Sequence, residues 1–429
     1  MGESKPAVPG PGAWAAKARA LDRYRWLLLR EHHGYLGAAV RYGRDALLDL
    51  LFGIRARLAL PAGDVVAEPC DFLLLQGAPK VIPLQRKKRL IETLRAQGYH
   101  LVESGQEDPR HIIAGRMLAR PTQPVPLRYF GYAAYAEWLV KRHDPQLLIN
   151  DRNGSICSPF LRLALNTRGR LLVHLAHAST VESSRRLGMN DYDYYLLFGQ
   201  SSLQALQARA LRFGSSRVIL AGSHMIDRTF ELPPAAVEQR SVLLLGVGPD
   251  KEKQPDYLAT YALLVSWARE NPSYRVLVKR HPRSRAQFWQ EAVEACPNIV
   301  LLPGDCSLAA ALEQASIVVN IMSNAVIEAG LAARPVIYMN CTNDQDVLAQ
   351  ARYFGPAVRS VDELARRLAE VEGAYAASIA RAQDFSKFHL ENAFAGLEAS
   401  AQILCALHGQ RVDGLAWKRL DTTITECGS

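Results

Sequence analysis

The 429-residue sequence contains no apolar run long enough to cross a membrane as a helix. A spanning helix needs about 20 consecutive, mostly apolar residues. The opening residues, Met1 to Pro6, are also not followed by the apolar core of a secretory signal. These absences favour a cytoplasmic protein.

Cysteine is sparse, and its spacing disfavours two kinds of site. Zinc fingers and disulfide frameworks group their cysteines closely, and no pair here has the CxxC spacing. The seven cysteines are Cys70, Cys157, Cys296, Cys306, Cys341, Cys405 and Cys427. A reducing compartment fits this pattern.

Acidic residues are outnumbered, with 42 Asp and Glu against 51 Lys and Arg and a net charge of +9. Such a balance favours anionic partners, namely nucleotide sugars, anionic lipids or nucleic acid. No module that interleaves aromatic and basic residues to read bases is present. Nucleic acid is therefore the least favoured of the three.

Residues 1–60 are predicted to form an N-terminal helical extension after a Pro- and Gly-rich start. The helical part combines Trp14, Leu21 and Trp26 with many arginines. A basic helix with Trp and Leu could make peripheral contact with an anionic membrane. Packing on the first domain is the commoner arrangement for an amphipathic helix and is the favoured alternative.

From about residue 70, short apolar strands alternate with helices, which is typical of βαβ units and a mostly parallel sheet. A Pro-rich break at 231–236 separates two such series. We predict two Rossmann-like α/β domains facing a cleft, at 61–235 and 236–395. A C-terminal helix and tail, 396–429, are expected to cross back to the first domain.

A basic loop follows the predicted strand at 274–279. It reads Lys279-Arg280-His281-Pro282-Arg283. Ligands of parallel α/β sheets bind beyond the carboxyl ends of the strands, where Lys279, His281 and Arg283 could converge on a phosphate or carboxylate. Pro282 can fix the loop and start a helix. The alternative is a basic loop with one structural histidine.

A second motif follows the strand at 317–320 and reads Ser323-Asn324-Ala325-Val326-Ile327-Glu328. Ser323 is predicted to cap the next helix, whose N-terminal amides would form an anion site. Ser323 and Asn324 would then hold a phosphate and Glu328 the ribose hydroxyls. The alternative is a plain strand–helix unit with a capping serine.

Together the two motifs resemble the donor half of GT-B glycosyltransferases over roughly residues 145–375. The resemblance is closest to bacterial β-Kdo transferases of capsule, O-antigen and lipopolysaccharide biosynthesis, and extends to sialyltransferases and polymerases with CMP- or CDP-linked donors. It implies a GT-B fold. It also implies that His281, Ser323 and Asn324 hold the nucleotide phosphate and that Glu328 meets the ribose, with Lys279 and Pro282 in the same loop.

The first domain carries the residues expected to serve the acceptor. Asp151-Arg152-Asn153-Gly154-Ser155 stands where relatives have an acidic or polar acceptor loop, and His177 stands where many capsule enzymes have Gln-His-Gly. Asp151 could act as an acid or base, or make only an Asx-turn. Arg152 and His177 are predicted acceptor or sugar contacts.

A retaining β-Kdo transferase implies a carboxylate nucleophile, which splits one displacement into two. The loop that starts at Gly246 and Gly248 offers Asp250 first and Asp256 second, with Asp151 or no nucleophile as the remaining alternatives. Lys251 in this loop is a predicted sugar contact.

The resemblance therefore implies an enzyme that transfers Kdo from CMP-Kdo to a lipid-linked or oligosaccharide acceptor. The alternatives are transfer of sialic acid, transfer of glycerol phosphate from CDP-glycerol, and a non-catalytic nucleotide-sugar-binding scaffold. Since a CMP-linked donor has a single phosphate, no metal and no other cofactor is expected.

Overall fold

The computed structural model describes residues 6, 8–179, 181, 184–281, 283–284 and 287–424. The chain divides into two compact units. Unit 1 comprises Met1–Met225 with Leu397–Ser429, and unit 2 comprises Ile226–Gly396.

Unit 1 opens with one long helix, α1 (Ala13–Leu58), broken at Gly34, whose φ of 64° is non-helical. The two halves fold back on each other, since the Tyr42 hydroxyl donates to Asp22 at 2.9 Å. The Trp26 ring also meets Tyr42 edge-on at 5.6 Å between centroids. The predicted N-terminal helical extension is therefore present.

Strands and helices then alternate through the rest of this segment. They are β1 (Phe72–Gln76), α2 (Lys88–Ala96), β2 (Leu101–Gly105), α3 (Pro109–Ala114), α4 (Leu127–His143), β3 (Leu147–Asn150), α5 (Ser158–Asn166), β4 (Leu171–Leu175), β5 (Tyr194–Leu197), α6 (Gln200–Gln207) and β6 (Ser216–Leu220).

Unit 2 repeats the alternation. Its elements are β7 (Ser241–Leu245), α7 (Pro249–Glu252), α8 (Pro255–Glu270), β8 (Arg275–Lys279), α9 (Phe288–Ala295), β9 (Ile299–Leu301), α10 (Leu308–Glu313), β10 (Ile317–Asn320), α11 (Val326–Leu331), β11 (Val336–Tyr338), α12 (Gln350–Phe354), α13 (Val361–Gly373) and α14 (Tyr375–His389).

The chain then returns to unit 1 with α15 (Gly396–His408) and β12 (Lys418–Leu420). The C-terminal helix predicted within 396–429 corresponds to α15, and α14 is a separate helix that ends at His389. Asn392, with φ of 59°, lies between them in the left-handed region and interrupts the helical path.

Each unit is built around one sheet. The unit 1 order is β12-β6-β5-β4-β3-β1-β2, and the unit 2 order is β11-β10-β7-β8-β9. The strands pair in parallel except β12, which is antiparallel to β6. Parallel sheets carry helices on both faces, so their strands are buried on both sides. This explains why the strand sequences are almost continuously apolar.

Each unit also has its own core. In unit 2, Trp267, Trp289 and Tyr261 are buried against the sheet. In unit 1, Ala401 and Leu404 of α15 are buried in the same cluster as the strand residues. Among the described residues, no helix combines the length and apolar character needed to cross a bilayer.

Candidate functional site

In unit 2, the loops that follow β7 and β8 lie side by side. β7 pairs with β8, and the Gly246 amide donates to the Lys279 carbonyl at 2.9 Å. A Cβ on Gly246 would lie 3.0 Å from that oxygen and 3.1 Å from the His281 nitrogen. Glycine thus permits this close approach, and the two loops share the carboxyl edge of the sheet.

His281 lies in the loop after β8 and is partly buried. Its Nδ1 accepts the Arg283 amide hydrogen at 3.1 Å. The neutral ring therefore carries its proton on Nε2, which is left as a donor. Burial and the Arg283 charge lower the His281 pKa, and Glu252 opposes them. Lys279 ends β8 just before this loop, and Pro282 lies outside the described residues.

The acidic residues of the β7 loop divide into inner and outer positions. Asp250 and Asp256 are exposed, in the first turns of α7 and α8. Glu252, which the sequence patterns did not single out, is only 3% exposed. Residues two apart on a helix point in nearly opposite directions, so Asp250 and Glu252 cannot both face inward.

Only one of the two carboxylate oxygens of Glu252 has a hydrogen-bond partner among the described residues. Its Oε2 accepts the Ser284 hydroxyl hydrogen at 2.5 Å. Its buried Oε1 has no hydrogen-bond partner in the part of the chain that the structure describes. A buried polar atom without a partner costs free energy, and a bound ligand is one way to satisfy it.

Lys251 is held by the loop after β11. Its ammonium forms an ion pair with Asp344. Asp344 also accepts the Tyr257 hydroxyl hydrogen at 2.6 Å. The hydrogen bonds from Lys251 and Tyr257 lower the Asp344 pKa. An ammonium has three donors, so Lys251 can keep this pair and still contact a ligand.

The turn after β10 differs from the predicted helix cap. The N-cap of α11 is Ala325, which makes no side-chain cap, and the helix has six residues. The predicted capping role of Ser323 is wrong, because the helix starts two residues later, with Ala325 at the N-cap position. The Ser323 amide donates instead to Asn320 Oδ1 at 3.1 Å. Asn320 is in turn bonded to Gln350 at 2.7 Å, so a side-chain pair fixes this turn.

Glu328 lies in the first turn of α11, and Asn324 is exposed in the preceding turn. Burial of the Glu328 carboxyl raises its pKa to about 7. A carboxyl that titrates near neutral pH can both donate and accept hydrogen bonds, which suits contact with a hydroxyl pair.

In unit 1, the loop predicted to serve the acceptor is fixed by a buried ion pair. Lys87 Nζ lies 2.5 Å from Asp151 Oδ2, and the two side chains are 3% and 11% exposed. The Asp151 amide also donates to the Leu75 carbonyl at 3.3 Å. Arg152 reaches back to the Gly77 carbonyl at 3.1 Å. Asp151 is therefore tied to two strand ends rather than being a mobile loop residue.

A buried histidine supports the same loop. His174 on β4 receives a hydrogen bond from Asn150 at Nδ1 (3.0 Å) and donates from Nε2 to Asn153 Oδ1 (2.7 Å). Its ring stacks on Tyr192 at 4.3 Å between centroids. Burial holds the His174 pKa well below its usual range. The neutral imidazole thus positions Asn153.

His224, after β6, is a buried side chain of unit 1 with two nitrogens unsatisfied within the described part of the chain. It is 1% exposed, and neither ring nitrogen has a hydrogen-bond partner among the residues described. Burial, then the charges of Lys87 and His177, lower its pKa to about 3. His177 itself is exposed beyond the end of β4. Lys87, His174 and His224 were not identified from sequence, because no local motif marks them.

No protein-family model matches this chain, and a search of curated proteins finds no significant match. Solved structures do match it. A protein described as a UDP-N-acetylglucosamine 2-epimerase from Listeria monocytogenes has a TM-score of 0.51 at 11% identity, covering 81% of this chain and 98% of its own. S. aureus MnaA with UDP has a TM-score of 0.51 at 8% identity, covering 79% and 97%.

A structure of the wall teichoic acid polymerase TagF has a TM-score of 0.43 at 11% identity, covering 87% of this chain and 98% of its own. At these identities the likeness concerns the fold. The parallel sheets of the two units and the two matches at 0.51 confirm the predicted class, so this chain has the GT-B fold.

Proposed function

We propose that this protein is a glycosyltransferase that takes Kdo from CMP-Kdo, with the donor bound at the carboxyl edge of the unit 2 sheet. The observation that carries the proposal is the contact between Gly246 and the Lys279–His281 backbone. It brings a glycine loop, a lysine and a histidine Nε2 donor to one edge. A single phosphate can be held by such charge-assisted hydrogen bonds.

The turn after β10 completes the proposed donor site. Because β10 pairs with β7, its carboxyl end lies at the same edge as the glycine loop. Ser323 and Asn324 are the proposed phosphate contacts from this turn. Glu328 is proposed to bond the ribose hydroxyls, as either donor or acceptor, since its pKa is about 7.

For the chemical step we propose transfer with retention. The Asp250 carboxylate would attack the anomeric carbon, the bond to the phosphate oxygen would break, and CMP would leave. An acceptor hydroxyl would then displace the Asp250 carboxylate and pass its proton to a water molecule. Asp256 is the second choice of nucleophile. Lys251 is the proposed sugar contact, and the proposed acceptor-side residues are Asp151, Arg152 and His177.

The alternative donors are CMP-sialic acid and CDP-glycerol. The alternative role is that of a non-catalytic scaffold that binds a nucleotide sugar.

A second candidate is epimerisation of a UDP-linked amino sugar, as the names of the structural neighbours describe for those proteins. Glu328 favours it, because a carboxyl with a pKa of about 7 can serve as a general acid or base at neutral pH. This candidate needs no acceptor, which separates it from glycosyl transfer.

A donor screen tests the proposal. Purified protein would be incubated with CMP-Kdo, CMP-sialic acid, CDP-glycerol and UDP-GlcNAc, with the released nucleotide and the sugar products measured. We expect CMP release from CMP-Kdo only. Three results would overturn the proposal in favour of the corresponding alternative. They are turnover of CMP-sialic acid or CDP-glycerol, epimerisation of UDP-GlcNAc, and tight binding of CMP-Kdo without turnover.

Matched variants test the proposed residues. His281→Ala removes a hydrogen bond to a charged group, so donor affinity is expected to fall roughly 10-fold or more. His111→Ala, an exposed histidine of unit 1, is the control and should leave affinity unchanged. Asp250→Asn should abolish transfer, whereas Asp256→Asn should retain it. A product with inverted anomeric configuration would exclude a nucleophilic role for Asp250.

A further inference from the structure

The second half of α1 is apolar on the side that faces solvent. Six of the large apolar side chains exposed in this segment form what we call the outer stripe: Leu36 (86%), Val40 (75%), Leu47 (57%), Leu51 (41%), Ile54 (38%) and Leu58 (82%). Leu48 and Leu50 are also exposed beside them. Single exposed apolar residues are normal, but a contiguous set marks an interaction surface.

The spacing places the stripe on one helical face. At about 100° per residue, all six lie within an arc of about 60°, and from Leu36 to Leu58 they extend over about 33 Å. The buried residues of the same segment, such as Ala38, Phe52 and Ala56, lie on the opposite face. Packing within unit 1 therefore uses one face of the helix and leaves the outer stripe uncovered.

Positive charge borders the stripe. Arg44 and Arg55 lie on one side and Arg57 on the other, all exposed. The acidic residues of the segment are already paired. Asp45 bonds Arg44 at 2.8 Å, which offsets the charge of that arginine, and buried Asp49 bonds Arg25 at 2.6 Å. Arg55 and Arg57 therefore supply most of the bordering positive charge. An apolar strip edged by arginines is complementary to a surface that is apolar inside and anionic at its boundary.

An apolar groove adjoins the stripe. It has a volume of about 830 Å³, and its lining includes Leu51 of the stripe together with Leu48, Phe52 and Ile113. The groove widens the apolar surface beyond a single helical ridge. The lining also holds the arginines Arg25, Arg55 and Arg110 and the aspartates Asp45, Asp49 and Asp108. The groove therefore adds apolar area to the stripe without adding net positive charge.

We propose that the outer stripe and its bordering arginines bind the surface of an anionic lipid bilayer, with the second half of α1 lying parallel to the membrane plane. Basic amphipathic helices bind in this way, by burying apolar side chains at the headgroup boundary and pairing cations with anionic lipid. A second copy of the chain fits less well, because pairing two stripes would bring arginine rows together without acidic partners.

Sedimentation of the full chain with phosphatidylcholine vesicles, with and without phosphatidylglycerol, tests the proposal. We expect binding to the phosphatidylglycerol vesicles that weakens with salt. The double variant Leu47→Ser/Leu51→Ser should lose at least about tenfold in affinity. Leu84→Ser, a 56%-exposed leucine of unit 1, should bind as the parent does.

A charge variant separates the two components of binding. Arg44→Gln/Arg57→Gln should reduce binding to anionic vesicles, with Arg228→Gln as the control. Unfolding curves of each variant show whether its fold is retained. Equal binding to both vesicle types would overturn the proposal, and so would unchanged vesicle binding by Leu47→Ser/Leu51→Ser. A parent chain that binds no vesicles but forms a solution dimer, which Leu47→Ser/Leu51→Ser dissociates, would also overturn it.

Discussion

Ser284 donates its hydroxyl hydrogen to Glu252 Oε2 at 2.5 Å. This bond joins the loop after β8 to the short helix α7 that follows β7. It also fixes a carboxylate close enough to His281 to oppose the lowering of the histidine pKa. The ionic state of the proposed phosphate contact therefore depends on a residue in another loop.

Glu252→Gln is expected to lower the His281 pKa further. The carboxylate stabilises the imidazolium, and the neutral amide does not, so the midpoint must move to lower pH. NMR titration of the His281 ring measures it. Asp256→Asn, an exposed carboxylate in the same segment, should leave the midpoint in place. A midpoint that Glu252→Gln does not move would show that the two groups do not interact.

Lys87→Met is expected to destabilise unit 1 by about 3 kcal/mol, because it leaves Asp151 as a largely buried charge without its partner. Lys88→Met is the neighbouring control. Its ion pair with Glu92 is 3.8 Å long, with side chains 61% and 59% exposed, so its loss should cost below about 1 kcal/mol. Urea unfolding of the full chain gives both values, and equal losses would contradict a buried pair.

Glu328 gives the stability a pH dependence of known sign. Its pKa rises from 4.5 to about 7 because burial disfavours the charged form. The folded state therefore holds a proton that the unfolded state releases, and stability falls as pH rises through this window. Glu328→Gln removes that loss, so the variant should gain relative to the parent between about pH 5 and about pH 8. If the unfolding free energies of the parent and of Glu328→Gln differ by the same amount at every pH in this range, the prediction is wrong.

Transfer is expected to persist in EDTA, because the Lys279 ammonium can neutralise the charge of a single phosphate and His281 Nε2 can donate a hydrogen bond to it. The measurement is CMP release with and without chelator, followed by added magnesium. Activity that disappears in EDTA and returns with magnesium would assign the charge neutralisation to a metal ion instead.

Several site features were predictable because they follow from local pattern. The strand at 275–279 ends in a basic loop, and pairing of neighbouring parallel strands places that loop beside Gly246. Contacts between distant parts of the chain were not predictable. Lys87 and Asp151 are 64 residues apart, and no spacing rule links them. Ser323 does not cap the helix, because the turn held by Asn320 and Gln350 delays the start of α11 to the residue after Ala325.

The sequence by itself determined the alternation of apolar strands and helices, and with it the two parallel-sheet units and the edge where we propose that the donor binds, because these depend on short-range periodicity and chain direction. The tertiary structure alone decided which side chains are buried. It buried Glu252 and left Asp250 exposed on the same short helix, since a helix can bury only one of two residues that point apart. It also left the outer stripe of α1 uncovered, because packing selects which of two apolar faces is buried.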